Sequence, residues 1–350
     1  MNICSKNEQS SRNGRPGLKI GPLAIRNRVF LAPMSGVTDA PFRRLASRLG
    51  AGLVVSEMTA SEELARGIGE ARLRAAEHGE GIHVVQLAGC EARWMEEGAK
   101  VAEASGAQII DINMGCPAKR VTNGYSGSAL MRDLDHAVAL IEAVVRAVTV
   151  PVTLKMRLGW DERSLNAPEL ARRAQDAGVQ LITVHGRTRC QFYTGVADWK
   201  AIAQVKAVVS IPVVANGDLA SFEDADRMLA ESGADAIMIG RAAIGRPWLP
   251  GQIATYLTNG ERQPAPPLAT QRALLFALHE DILSHYGTAI GVRHARKHVR
   301  AALDWAANTS KVPASLVEAS RAAALTTDNP KQFRQHVAEA YDVMRWKTAA

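Results

Sequence analysis

The chain has 350 residues, 47% of them hydrophobic and 22% charged, with a net charge of +7. That length allows one large domain and a smaller one, and the composition is ordinary for a soluble globular protein. No apolar run is long enough to cross a bilayer, and the polar start MNICSKNEQSSRNGRPG lacks the apolar stretch of a secretory signal, so a cytoplasmic protein with no membrane partner is expected. None of Cys4, Cys90, Cys116 and Cys190 forms a Cys-x-x-Cys pair, which argues against zinc and thioredoxin-like sites and gives no reason to expect a metal.

Residues 1–17 read as a mobile tail. Eight short runs rich in Val, Ile and Leu then follow, at 28–34, 53–58, 83–88, 108–113, 152–157, 181–185, 212–216 and 236–240. They do not alternate strictly, which is the pattern of parallel strands covered on both faces. Helical-length segments such as 91–104, 136–148 and 222–232 lie between them. Leu49-Gly50-Ala51, Ser105-Gly106-Ala107, Ala177-Gly178-Val179 and Ser232-Gly233-Ala234 recur before alternate runs. Each glycine can take the left-handed conformation that ends a helix. Pro151 and Pro212 stand where a strand opens and a proline is tolerated. Eight strand–helix units predict an α/β fold, a (β/α)₈ TIM barrel over 18–260. Past the linker-like Arg262-Gln263-Pro264-Ala265-Pro266-Pro267, helices are expected near 269–286, 290–307, 314–325 and 331–346. They make a small C-terminal helical domain over 261–350.

In such barrels the active site sits at the carboxyl ends of the strands. There the sequence places Ala32-Pro33-Met34, Glu57, Gln86, Asn113 with Cys116, Lys155 with Arg157, His185 with Arg187, Asn216-Gly217-Asp218 and Gly240-Arg241. One buried Asn or Gln would be an ordinary core hydrogen-bonding group; polar residues at nearly every strand end point to a shared pocket. The last two sets fit a phosphate site, with close backbone approach at Gly217 and Gly240 and a bidentate contact from Arg241. Lys155 can form a Schiff base, hold negative charge or simply be salt-bridged. His185 can bind a ligand oxygen or be structural. A thiol such as Cys116 is mostly protonated at neutral pH and can give up a proton, or attack as a nucleophile if a base lies beside it. No motif supplies that base.

The motifs Ala32-Pro33-Met34-Ser35-Gly36-Val37-Thr38-Asp39, Asp111-Ile112-Asn113-Met114-Gly115-Cys116-Pro117-Ala118-Lys119, Lys155-Met156-Arg157-Leu158-Gly159-Trp160, His185-Gly186-Arg187-Thr188-Arg189, Ala215-Asn216-Gly217-Asp218 and Met238-Ile239-Gly240-Arg241-Ala242-Ala243 resemble, in order and spacing, those of bacterial tRNA-dihydrouridine synthases. The B-type branch is the nearest match, over about 18–340. The resemblance implies FMN bound by Ala32, Pro33, Met34, Gln86, Lys155, His185, Asn216, Gly217, Asp218, Gly240 and Arg241. It implies NADPH, or NADH in its place, as a passing reductant, and Cys116 as the proton donor in reduction of the C5=C6 bond of a D-loop uridine in tRNA. Asn113 and Arg187 are expected at the substrate. The residues by themselves also admit a flavin barrel acting on a free pyrimidine, or an RNA-binding protein without catalysis.

Arg293, Arg296, Lys297 and Arg300 fall at i, i+3, i+4 and i+7 of one predicted helix, a single basic face. Val292, Ala295, Val299 and Leu303 fall on the other face. Residues 246–350 hold 13 Lys/Arg against 8 Asp/Glu, five of the seven net positive charges. A basic helical domain suits a phosphate backbone, so these four residues are expected to contact tRNA. The chain is expected to act as a monomer.

Overall fold

The computed structural model describes residues 17–349; the expected tail, apart from Gly17, and Cys4 lie outside the described residues. The chain parts into two compact units. One runs to Gly240 and takes Pro250–Arg262; the other comprises Arg241–Leu249 and Gln263–Ala350.

The first unit begins with an antiparallel hairpin of β1 (Lys19–Ile20) and β2 (Leu23–Ala24). Nine further strand segments follow: β3 (Val29–Leu31), β4 (Leu53–Val54), β5 (Thr59–Ala60), β6 (Val84–Ala88), β7 (Ile109–Met114), β8 (Val152–Arg157), β9 (Leu181–His185), β10 (Val213–Asn216) and β11 (Ala236–Ile239). All pair in parallel, in the order β4-β3-β11-β10-β9-β8-β7-β6-β5. The ends of this order are β4, inside the strand expected at 53–58, and β5, which begins directly after it. Val55 bridges Val84 in parallel, so this second strand touches both neighbours and the barrel closes. It breaks because the Ser56 and Thr59 hydroxyls donate to the Glu57 carbonyl at 3.0 and 3.2 Å. Short polar side chains compete there with the ladder for backbone groups.

The helices between strands start as their sequences dictate. Asp39, Asp133, Asp198 and Ser221 each accept a backbone N–H of the first turn, satisfying donors that a helix start leaves open. Gly50, Gly106, Gly178 and Gly233 have φ of 104°, 95°, 103° and 62°, the left-handed exits that the repeat implies. Apolar groups fill the amino-terminal half of the barrel: Ile20 and Ile25 pack with Phe30, Leu53, Val84, Ile109, Leu181, Val214 and Ala236. The polar strand ends are therefore left to the other half.

The second unit carries helices Leu268–Tyr286, Thr288–Thr309, Ala314–Thr326 and Pro330–Ala349. Its first two helices cross closely at Gly291, where a Cβ would lie 3.0 Å from the Ile282 carbonyl oxygen. Val292, Ala295, Val299 and Leu303 are buried. No helix among the described residues is long and apolar enough to cross a membrane.

Candidate active site

Parallel pairing sets the site by register. Side chains two apart on a strand share a face, and the pairs Gln86↔Asp111, Asp111↔Thr153, Asn113↔Lys155, Arg157↔His185 and Asn216↔His185 bring the polar strand ends level. Gln86, Asp111, Asn113 and Thr153 are all buried, so each needs a hydrogen-bond partner. They satisfy one another in a relay. The Thr153 hydroxyl donates to Asp111 Oδ1 at 2.6 Å, and Gln86 Nε2 donates to Asp111 Oδ2 at 2.6 Å. Asn113 Nδ2 donates to Gln86 Oε1 at 2.7 Å. The free Asn113 oxygen then accepts the backbone N–H of Cys116 at 3.0 Å and of Gly115 at 3.2 Å. Burial pushes the Asp111 carboxyl up, opposed by its two hydrogen bonds and by Lys155.

Cys116 is thus fixed from below, and it is fixed from above as well. Its carbonyl accepts the Ser128 hydroxyl at 2.8 Å and the Ser128 N–H at 3.1 Å. Cys116 lies within electrostatic reach of both Lys155 and Arg157. Lys155 Nζ donates to Asn216 Oδ1 at 3.1 Å, and Asn216 Nδ2 in turn donates to the Met238 carbonyl at 2.8 Å. Burial, and next the Arg157 cation, push Lys155 down to about 8. Arg157, held near 10 by burial, donates to the carbonyls of Gly115, Thr188 and Phe192, each at 2.8 Å. It ties the cysteine segment to the loop after β9.

Gly217 has φ 123°, and a Cβ there would lie 2.7 Å from Ala197 Cβ and 2.9 Å from His185 Cδ2; only glycine lets these two groups meet. At Gly240 a Cβ would meet Ala32 and Met34 at 3.8 Å, so the ends of β3 and β11 converge. Pro33 lies between them in the chain. The backbone N–H groups of Gly217 and Gly240 donate to no acceptor among the described residues. Such paired, unmet donors at these two strand ends suit a phosphate. Arg241 opens the short helical turn Arg241–Ala243 directly after Gly240 and is exposed.

Arg187 is buried, and four of its five N–H groups donate to carbonyl or carboxylate oxygens. It pairs with both Asp218 oxygens at 2.9 and 2.6 Å, donates to the carbonyls of Thr194 and Gly195, and sits 3.4 Å from His185 Nε2. Its fork holds the loop after β9 against the turn at Asp218. On the basic helix, Arg293, Lys297 and Arg300 are exposed and form no ion pair among the described residues. Arg296 is half-buried and pairs with Asp328 at 2.9 Å.

The sequence reading assigned no role to Asp111, Thr153, Ser128 or Tyr193. The first two were signalled by alternation, Asp111 with Asn113 and Thr153 with Lys155. Tyr193 stands half-exposed, 6.4 Å ring to ring from His185, with the Arg157 guanidinium 5.6 Å from its ring centre. The exposed turn and long-range contacts that place it leave no local pattern.

Residues 30–338 match the model of the dihydrouridine synthase (Dus) family. A probable tRNA-dihydrouridine synthase of Rhizobium leguminosarum bv. phaseoli is 52% identical over 320 residues, 91% of this chain and 97% of that protein. A tRNA-dihydrouridine synthase B of Xanthomonas campestris pv. campestris is 52% identical over 283 residues, 81% of this chain and 85% of that protein. Among solved structures, a 2-naphthoyl-CoA reductase complex superposes with a TM-score of 0.54 at 14% identity, over 70% of this chain and 52% of that one, a likeness of fold. Across the barrel and most of the helical unit, then, the chain belongs to the dihydrouridine synthase family of oxidoreductases.

Proposed function

We propose that the protein is a tRNA-dihydrouridine synthase that reduces the C5=C6 bond of a D-loop uridine, using FMN as its bound cofactor and NADPH as reductant. The observation that carries this reading is Cys116, pinned through its backbone N–H and C=O beside Lys155 and Arg157. FMN, when bound, would supply the hydride for C6, with NADPH as the source of its reducing equivalents. Cys116 then delivers its thiol proton to C5, and the thiolate left behind recovers a proton from water. Lys155 holds negative charge close to the ring, and a cation fixed in a buried site does so at no cost of reorganisation. The unmet N–H groups of Gly217 and Gly240, with Arg241 next in the chain, would hold the cofactor's phosphate. His185, packed against Gly217 and close to Arg187 and Tyr193, would join the residues that hold the flavin. The uridine must leave its stack to enter a barrel mouth.

Purified protein is expected to be yellow and to release FMN, identified by mass spectrometry. Recovery of FAD alone would contradict the single-phosphate cradle. The same preparation should reduce tRNA and leave free orotate unchanged; the reverse preference would favour a free-pyrimidine enzyme.

Lys155 gives this site a pH dependence. Its folded pKa is depressed from 10.5 to about 8. Its charge is therefore present below about 8 and lost as pH rises through that value. Between the two values the unfolded chain binds more protons than the folded one, so this group makes stability rise with pH across that window. FMN binding by cofactor-stripped protein should weaken as pH rises through about 8, and Lys155→Met should flatten that limb. Flavin fluorescence titrations across this range check it; an unchanged slope in the variant would remove Lys155 from the cofactor site.

Arg293, Lys297 and Arg300 are assigned to the tRNA backbone. Replacing all three by Gln should weaken tRNA binding and make the slope of log affinity against log salt shallower by roughly 0.7–0.9 per lost contact. NADPH-dependent flavin reduction should be unaffected. Arg296→Gln should change affinity less, because that side chain is paired with Asp328. Affinities at several salt concentrations decide; equal slopes would leave the basic face as solvated surface.

A further inference from the structure

The loop that leaves Cys116 contains a side chain with no part in the site described above. It reads Thr122-Asn123-Gly124-Tyr125-Ser126-Gly127. Tyr125 has φ 57°, the left-handed region, where a bulky aromatic is a rare outlier. Gly124, next to it, does not take the positive φ. The loop is closed tightly on itself and on the cysteine. Tyr125 N–H donates to the Thr122 carbonyl at 3.1 Å, and Ser126 N–H to the Val121 carbonyl at 3.2 Å. At Gly127 a Cβ would lie 2.9 Å from the Cys116 carbonyl oxygen and 3.2 Å from Cys116 Cβ. The Tyr125 side chain, meanwhile, is 73% exposed, so it fills no core that would reward the strain. Strain of this kind, held in place by the surrounding contacts, gathers at functional sites.

The surroundings give its occupant. Leu165, Tyr193 and Val196 are also exposed, at 53%, 53% and 75%, and they lie on the loops after β8 and β9, at the same end of the barrel. Lys119, Arg120 and Arg132 are exposed on the two helical turns that flank the Tyr125 loop. Apolar ring faces set among cations match an unstacked single strand, whose bases stack on aromatics while its phosphates take the charges. We infer that Tyr125 is a substrate-binding residue: its ring stacks on the base of a nucleotide next to the uridine being reduced, and so holds the extruded strand over Cys116. The inference rests on the tRNA-reducing function proposed above and names a contact within it.

The test compares wild type, Tyr125→Phe and Tyr125→Asn. Asparagine tolerates positive φ, so it keeps the loop and removes only the ring. Steady-state reduction of an unmodified tRNA transcript is measured together with NADPH-dependent flavin reduction, which all three should share. Tyr125→Phe should behave as wild type. Tyr125→Asn should raise KM for tRNA by roughly tenfold, as expected for one lost base–aromatic stack, with kcat little changed. Transcripts with an abasic site on either side of the target uridine complete a double-mutant cycle; at one of the two positions the gap between wild type and Tyr125→Asn should close. An unchanged KM in Tyr125→Asn, an equal loss in Tyr125→Phe, or a gap that persists with both abasic transcripts overturns the inference. Wild type that forms no dihydrouridine at all overturns the functional reading, and this inference with it.

Discussion

Cys116→Ala is expected to lower dihydrouridine formation in tRNA by about 10²–10⁴-fold, the usual cost of losing a positioned acid. Bound flavin, and NADPH oxidation with an artificial acceptor, should stay at wild-type levels. The separation follows from how the residue is held. The relay from Thr153 through Asp111, Gln86 and Asn113 ends on the Cys116 backbone N–H, and Ser128 grips its carbonyl. Neither contact uses the thiol, so alanine keeps the loop in place and removes only the proton source. Cys90 and Cys190 serve as controls. Cys90 meets His136 only through its carbonyl, and Cys190 is exposed, so alanine at either should change little. A Cys116→Ala enzyme that reduces tRNA at the normal rate would show that water or another group gives the proton.

Arg187→Ala is expected to destabilise the fold by about 3 kcal/mol, the lower end of the range for removing one partner of a buried ion pair. The lower end applies because the Asp218 side chain is 24% exposed and water can reach it once Arg187 is gone. Arg187→Lys should rescue little, because an ammonium cannot reproduce a fork that serves Asp218, Thr194, Gly195 and His185 together. Urea unfolding checks the stability, and flavin content in the same samples reports whether His185 and Gly217 stay in place. Wild-type stability for Arg187→Ala would mean that the guanidinium does not clamp this loop.

Most of the barrel was legible because its signals are local. Apolar runs marked the strands, and the glycines at 50, 106, 178 and 233 marked the helix exits. The interrupted second strand was not legible, because Ser56 and Thr59 override a run whose composition still reads as strand. The candidate site divides in the same way. Strand-end residues could be read off one at a time, since each run announces its own end. Their partners could not. Arg187 meets Asp218 from 31 residues away, and Arg296 meets Asp328 from 32, distances at which a sequence shows two charges but not that they pair. For this reason neither the Arg187–Asp218 pair nor the Arg296–Asp328 pair could be read from the sequence.

The most direct measurement of the central claim uses a tRNA transcript made without modifications. It is incubated with purified protein, FMN and NADPH, digested to nucleosides and analysed by mass spectrometry. The account predicts dihydrouridine, with its two added hydrogens, at a D-loop position, formed only when NADPH is present and largely lost with Cys116→Ala. Unmodified uridine throughout, from protein that carries flavin and oxidises NADPH, would contradict it.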